Sequence, residues 1–249
     1  MEKKVLYGIV AFGLSMLSSC LGDPATSLTL ANQAGVVGTE PLKVVYVKGG
    51  DIVSSEDFQK ANVDDGECIL LDYSIDMGLA GITDNGITYK AATIYQNTIK
   101  EVPQWPLSNQ LTDTVTPVKN EQSLSTVQAR SAFIQGKLFL FTEMSGHGPS
   151  QVDSFALSYD PAQKLGDQKI YDLYLQMIKI KPDTLPGKSM TVPCAFDLQE
   201  FVRNAATTQE GGVEQIKFRI NYASGFNKDT TEYTGWKSTD PYTIERQVK

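Results

Sequence analysis

The sequence predicts an all-β protein made of two β blocks, the second an antiparallel β-sandwich. Three observations carry this. Apolar residues recur at every second position rather than with helical spacing. The apolar runs are short and are punctuated by Gly, Asn and Asp turns. Residues 104–121 are rich in Pro, Thr, Ser and Asn and read as a linker that divides the pattern in two. Only 198–206 resembles a helix, weakly, and no repeat or low-complexity tract is present.

Composition bounds the function. A chain of 249 residues can bury a sizeable core without disulfide staples. Its 20 glycines and 11 prolines are ordinary for a globular protein and exclude collagen-like or disordered classes. The net charge of −7 and a pI of about 4.8 exclude a general nucleic-acid binder, which needs a basic footprint to neutralise phosphates.

Residues 1–19 read as a lipoprotein signal peptide. Met1-Glu2-Lys3-Lys4 is a short, net-positive start, and 5–16 is apolar and uncharged. About twelve such residues suit a signal h-region and are too few for a transmembrane helix. Leu17-Ser18-Ser19-Cys20 then has the form of a lipobox, an aliphatic residue and two small residues before a cysteine. Cleavage follows Ser19, and the Cys20 thiol takes a diacylglyceryl group. Several acyl chains on one cysteine make a stable anchor, because each buried CH₂ contributes about 0.8 kcal/mol. The expectation is a protein tethered to a Gram-negative outer membrane, with the membrane as its partner through the lipid. Leu21-Gly22-Asp23 lacks the acidic run that marks surface export in some groups, so the face of the membrane stays open.

Residues 20–40 are small and polar and read as a flexible tether. The first β block is 41–103. Leu42–Val47 is an apolar strand, Gly49-Gly50 a turn, and Ser54–Lys60 at most a polar helical turn. Cys68–Tyr73 (CILLDY) is a strong strand. Asn85-Gly86 between Ile82 and Ile87 marks a hairpin, since a type I′ turn needs positive φ at both central residues. Tyr89–Ile99 continues as a further strand or strand pair. In the second block, 122–249, Gln135-Gly136-Lys137 turns Ala132–Ile134 into Leu138–Phe141 (LFLF), a strand apolar on both faces. Phe155, Leu157 and Tyr159 share one face, as do Tyr171, Leu173, Leu175 and Met177. Met190, Val192, Cys194, Phe196 and Leu198 form another such face, and Ile216, Phe218, Ile220 and Tyr222 alternate with polar residues.

Candidate chemistry is sparse. The single histidine, His147, stands in Ser145-Gly146-His147-Gly148-Pro149 and reads as an exposed loop residue, with no Gly-x-Ser-x-Gly elbow nearby. After lipidation only His147, Cys68 and Cys194 remain as zinc-type ligands, at spacings unlike any zinc site. The acidic stretches Asn62–Glu67 and Asp84–Gly86 read as turns rather than calcium loops. Cys68 and Cys194 read as two buried thiols rather than a disulfide. No catalytic residue and no metal is therefore expected, and no cofactor beyond the lipid on Cys20. Trp105 and Trp236, in polar or Pro-rich surroundings, are the candidates for a ligand platform; the alternative is that they cap the ends of β layers.

The order of features resembles the NigD-like lipoproteins of Bacteroidetes. The residues that carry the resemblance are the lipobox, Asp64–Ser74 (DDGECILLDYS), Val152–Pro161, Asp167–Leu175, Ala195–Leu198 and Ile216–Tyr222. Departures are Glu67 and Cys68, where a basic residue is common, and the missing Arg-His pair after the long strand. The resemblance implies an OB-like small barrel over 41–103, followed by the sandwich. It brings no activity with it. Three functions fit the sequence: a non-enzymatic envelope protein that binds a glycan, a peptide or another envelope protein; a surface-assembly subunit of fimbrial type, completed by a donated strand; and an envelope hydrolase using a carboxylate pair.

Overall fold

The computed structural model describes residues 27–128, 133–185, 187–205 and 212–248. Ser19, Cys20 and the stretch expected to be a signal peptide lie outside the described residues. Within them the chain forms β1 (Ser27–Gly38), β2 (Val44–Val47), β3 (Ile52–Ser54), β4 (Cys68–Asp76), β5 (Ile82–Asp84), β6 (Ile87–Ile94) and β7 (Lys100–Glu101). The second half holds β8 (Gln104–Ser108), β9 (Thr126–Gln128), β10 (Phe133–Ile134), β11 (Lys137–His147), β12 (Val152–Tyr159), β13 (Ile170–Lys181) and β14 (Lys188–Asp197). It ends with α1 (Gln199–Ala205), β15 (Gly212–Phe226), β16 (Tyr233–Ser238) and β17 (Tyr242–Val248).

The N-terminal domain is a closed five-stranded OB barrel. β1 pairs with β2 and β4, β2 with β3, β3 with β6 in parallel, and β6 closes back onto β4. Its core is Val37, Val45, Val53, Ile69, Leu71, Tyr73 and Ile94, plugged by the fully buried Phe58 from the turn expected to be polar. Asn85 and Gly86 take φ of 48° and 83° at the β5–β6 hairpin, as the Asn-Gly signal requires.

The barrel starts earlier than expected. Residues 27–38 fall in the stretch read as a tether, yet they form the longest strand of the barrel. A bulge between Leu30 and Gln33 puts Asn32 at φ 52°, with its N–H donating to Asp72 Oδ1 at 2.6 Å. The extra residue resets the alternation and bends the strand around the barrel. That break hid β1 from a search for period two.

The C-terminal domain wraps one curled sheet around a core of Leu140, Phe155, Leu173, Phe196, Phe218 and their neighbours. Most of its pairs are antiparallel, but β8 and the β13–β15 pair run parallel. β8 splices the two layers: Gln104–Pro106 pair with β14, then Leu107 and Ser108 with β12. α1 caps one end of the core, with Phe201 edge-on to Tyr159, Tyr171 and Phe218.

The expected linker at 104–121 is built into the sheet. Gln104–Ser108 is β8, and the remainder crosses the outer face as a strap. The chain passes between domains at Val102-Pro103: Val102 N–H donates to Cys68 O at 2.7 Å, and Ala195 N–H donates to Pro103 O at 3.0 Å. A second apolar cluster seals the domains together. Ala34, Val36, Cys68 and Leu70 on the barrel's outer wall pack with Ile134, Phe139, Phe141 and Ala195 from the outer face of the curled sheet.

Candidate functional site

The site begins with an incomplete ladder. β8 pairs only with the last residues of β14 and with two residues of β12, so β14 runs on past its N-terminal end, while Ser154–Ala156 of β12 stand opposite Gln104–Pro106 without pairing to them. Ser189–Cys194 of β14 and Asp153–Ala156 of β12 have no ladder partner on that side among the described residues. Between these edges lies a groove of about 350 Å³. Trp105 and Phe155 form its inner wall, with ring centroids 5.3 Å apart and near-perpendicular planes. Met190 and Val192 line the β14 side, Val152 the β12 side, and Glu101 with Pro103 the mouth nearest the barrel.

His147 sits at the far end of this groove and departs from expectation. It is 7% exposed, not a surface loop residue, and its Nε2 lies 2.7 Å from Asp153 Oδ2. Asp153 is as deeply buried, and its Oδ1 accepts from Gln151 Nε2 at 2.8 Å. His147 Nδ1 is buried with no hydrogen-bond partner. The flanking glycines explain the placement. Gly146 has φ 75°, and a Cβ on Gly187 would lie 2.0 Å from the Gly146 carbonyl carbon, so two bare backbones touch here. A trace of this pair stands in the sequence: a Gly-Pro-Ser turn between a histidine and an aspartate six residues on, at the connection from β11 to β12. A second hollow, about 510 Å³ and lined by Leu185, Pro149 and Lys188, shares His147 and Met190 with the groove.

The two tryptophans do not form one platform. Trp105 packs toward the core, against Phe155 and Phe196. Trp236 lies on β16, on the outer face, against Tyr174 at 5.8 Å and Tyr233 at 4.7 Å. β12, β13 and β15 separate β8 from β16.

A polar site missed by the sequence reading lies under the strap. Glu121 is 2% exposed, and its Oε2 accepts from Tyr233 Oη at 2.8 Å, Val118 N–H at 3.0 Å and Gln176 Nε2 at 3.1 Å. Its Oε1 is buried without a partner. Burial drives the carboxyl above the usual range for glutamate, and the three donors offset this only in part. Thr112 and Ser158 share a hydroxyl–hydroxyl bond beside it.

Other candidates resolve into structure. Asp65 Oδ1 accepts from Thr39 N–H and Glu67 Oε2 from Asp64 N–H, so the acidic stretch at 62–67 is a turn whose carboxylates are held by backbone N–H groups, one of its own and one at the end of β1. Cys68 and Cys194 are free and buried. Burial lifts the Cys68 thiol to about 11, and that of Cys194 higher still. Among the described residues no three His, Cys, Asp or Glu side chains converge on one point. No helix of the described residues is long and apolar enough to cross a membrane.

Comparison with known proteins agrees with this architecture. Residues 25–99 match the sequence model of the lipoprotein OB domain, which includes β1 and so supports the earlier start of the barrel. An uncharacterized protein from Parabacteroides merdae is 17% identical and superposes with a TM-score of 0.70, over 87% of this chain and 98% of that one. A protein from Bacteroides fragilis described as a lipoprotein is 11% identical, with a TM-score of 0.54 over 88% of this chain and 98% of its own. A NigD-like immunity protein from Bacteroides caccae, 11% identical, reaches 0.47 over 89% and 98%. No curated protein matches. At these identities the likeness is one of fold: a lipoprotein-type OB domain followed by a curled β domain, in proteins of Bacteroidetes.

Proposed function

We propose that this chain is a lipid-anchored protein of the Gram-negative cell envelope, held at the outer membrane through Cys20, and that it works by binding rather than by catalysis. The observation that carries the binding reading is the groove bounded by two unpaired strand edges, with Trp105 and Phe155 as its wall. Catalysis is disfavoured by the state of the one acid–base pair. Both Asp153 oxygens are engaged, by His147 and Gln151, and the other imidazole nitrogen, His147 Nδ1, is buried with no hydroxyl or thiol bonded to it among the described residues. Glu101 lines the same groove, so a carboxylate pair is present in outline, but Asp153 is held as a hydrogen-bond acceptor.

The anchor is tested by acyl-chain labelling with and without globomycin in cells carrying wild type or Cys20→Ala. Label lost in the mutant and precursor accumulation under the drug are expected; equal labelling of both proteins ends the anchor reading. Binding is tested with a Trp236→Phe variant, whose only remaining tryptophan is Trp105 in the groove. A saturable emission shift on titration with glycan or peptide panels is expected. Silence to both would overturn the binding reading. A second reading, assembly into surface polymers, draws on the same unpaired edges; polymers resistant to non-reducing extraction would favour it.

A further inference from the structure

We propose that the groove's ligand is an extended peptide segment of a partner protein, added as a strand on the open edge of β14 in line with β8. This inference rests on the binding reading above and names the class of ligand. The chain supplies its own precedent. β8 is a strand that runs parallel to β14 and then to β12, and it fills only the half of the β14 edge nearest α1. N-terminal to Gln104 the chain leaves the seam and pairs with β4 of the barrel instead, through Lys100 and Glu101. The open half continues the same ladder.

The open edges select backbone. Ala195 directs its N–H into the seam, at Pro103 O. Main-chain groups of a strand point the same way at every second residue, so the N–H and C=O of Thr191 and the C=O of Pro193 face the groove as well. Pro193, which lacks an N–H, costs nothing there because no strand among the described residues pairs with it on that side. Unpaired N–H and C=O rows are templates for another extended chain, and only a polypeptide satisfies them in series. A glycan has no such regular alternation of donor and acceptor.

The walls set the side chains. One face of an inserted strand meets Trp105, Phe155 and Val192, and so takes apolar residues at alternate positions. At its far end lies His147, with the buried and unpartnered Nδ1, suited to a side chain carrying a hydroxyl or amide. Val152 and Met190 stand 49% and 45% exposed at the rim, an apolar border that an occupant would cover. At about 3.3 Å per residue, the Ser189–Cys194 edge accommodates about six residues.

The test uses the full two-domain chain and a displayed library of random heptapeptides, with selected peptides resynthesised. Selected peptides are expected to shift Trp105 emission in the Trp236→Phe variant and to slow hydrogen exchange at the Thr191 amide. Methylating alternate peptide nitrogens should abolish binding. Thr191→Pro removes one groove-facing donor without touching the β11 ladder and should weaken binding about tenfold. Met190→Lys, at the exposed rim, provides a second variant that leaves the fold intact and should also weaken binding. Three results would overturn the proposal: no peptide protecting Thr191, peptides indifferent to both variants, or a self-associated dimer dissolved by Thr191→Pro, which would make the occupant a second copy. A Trp105 response to glycans alone would leave the binding reading standing and remove the peptide; silence to both classes would remove both.

Discussion

Glu121 carries a cost at neutral pH that its three donors do not cancel. Its carboxyl is buried, and one oxygen has no partner. Because its folded-state pKa is raised, the folded chain holds the proton to higher pH than the unfolded chain does. In the window from the ordinary glutamate value upward, stability from this group therefore falls as pH rises and is regained on acidification. Asp172 behaves oppositely. Burial acts to raise its pKa, but Arg219 and Asn221 together hold it below the usual range, so its contribution is lost as pH falls. Glu121→Gln should be at least as stable as wild type near pH 7, and the wild type should gain on it steadily towards pH 5 in thermal melts. A gap that does not change with pH would refute this. Glu121→Ala, which strands Tyr233, Gln176 and the Val118 N–H, should cost about 2–4 kcal/mol. None of this was legible: Glu121 sits in a stretch whose Pro, Thr and Ser content reads as linker. The buried thiols were legible, because alternation alone puts Cys194 on an inward face.

Among the elements, α1 shows how little sequence is needed when a cap is present. Asp197 Oδ1 accepts the Gln199 N–H at 2.9 Å, while Oδ2 takes Lys137 Nζ of β11 at 2.8 Å. One carboxylate thus starts the helix and ties it to the facing strand. Asp197→Ala should lower stability by about 1–2 kcal/mol in urea unfolding, and Asp197→Asn by less, since asparagine caps well but gives up the ion pair, itself part-exposed and weak. Equal losses in the two variants would assign the effect to Lys137. The strands with clean alternation, β12, β13, β14 and β15, were read directly. β1 was not, because its bulge shifts the phase at Asn32. β8 was not, because five residues containing a proline carry no period, and its place was fixed by two strands far away in sequence. The groove inherits that difficulty: its edges lie at 152–156 and 189–194, and nothing local shows that they face one another.

For the whole molecule, two apolar runs decide whether the domains move as one. Cys68-Ile69-Leu70-Leu71 and Leu138-Phe139-Leu140-Phe141 are apolar without alternation, the pattern of strands buried on both faces. Ile69 and Leu71 face the barrel core, and Leu138 and Leu140 the sheet core. The residues between them, Cys68, Leu70, Phe139 and Phe141, face each other across the domain boundary. The sequence reading thus held a second buried face for Leu138–Phe141 alone, and not that the outer side of Cys68–Leu71 was its partner. Since Phe139 is fully buried in this contact, Phe139→Ala should cost about 3–5 kcal/mol. A charge at Leu70 makes a sharper test, because it spares both domain cores. In wild type, slow-exchanging amides of β4 and β13 should report one common opening free energy. In Leu70→Lys, the β4 amides should exchange through a lower-energy opening while those of β13 keep their protection. If both sets fall together, the barrel and the sheet form a single folding unit and the seam cannot open independently of the barrel. If they separate, Pro103 and Glu101, which reach the groove from the barrel side, couple the state of the barrel to the width of the groove.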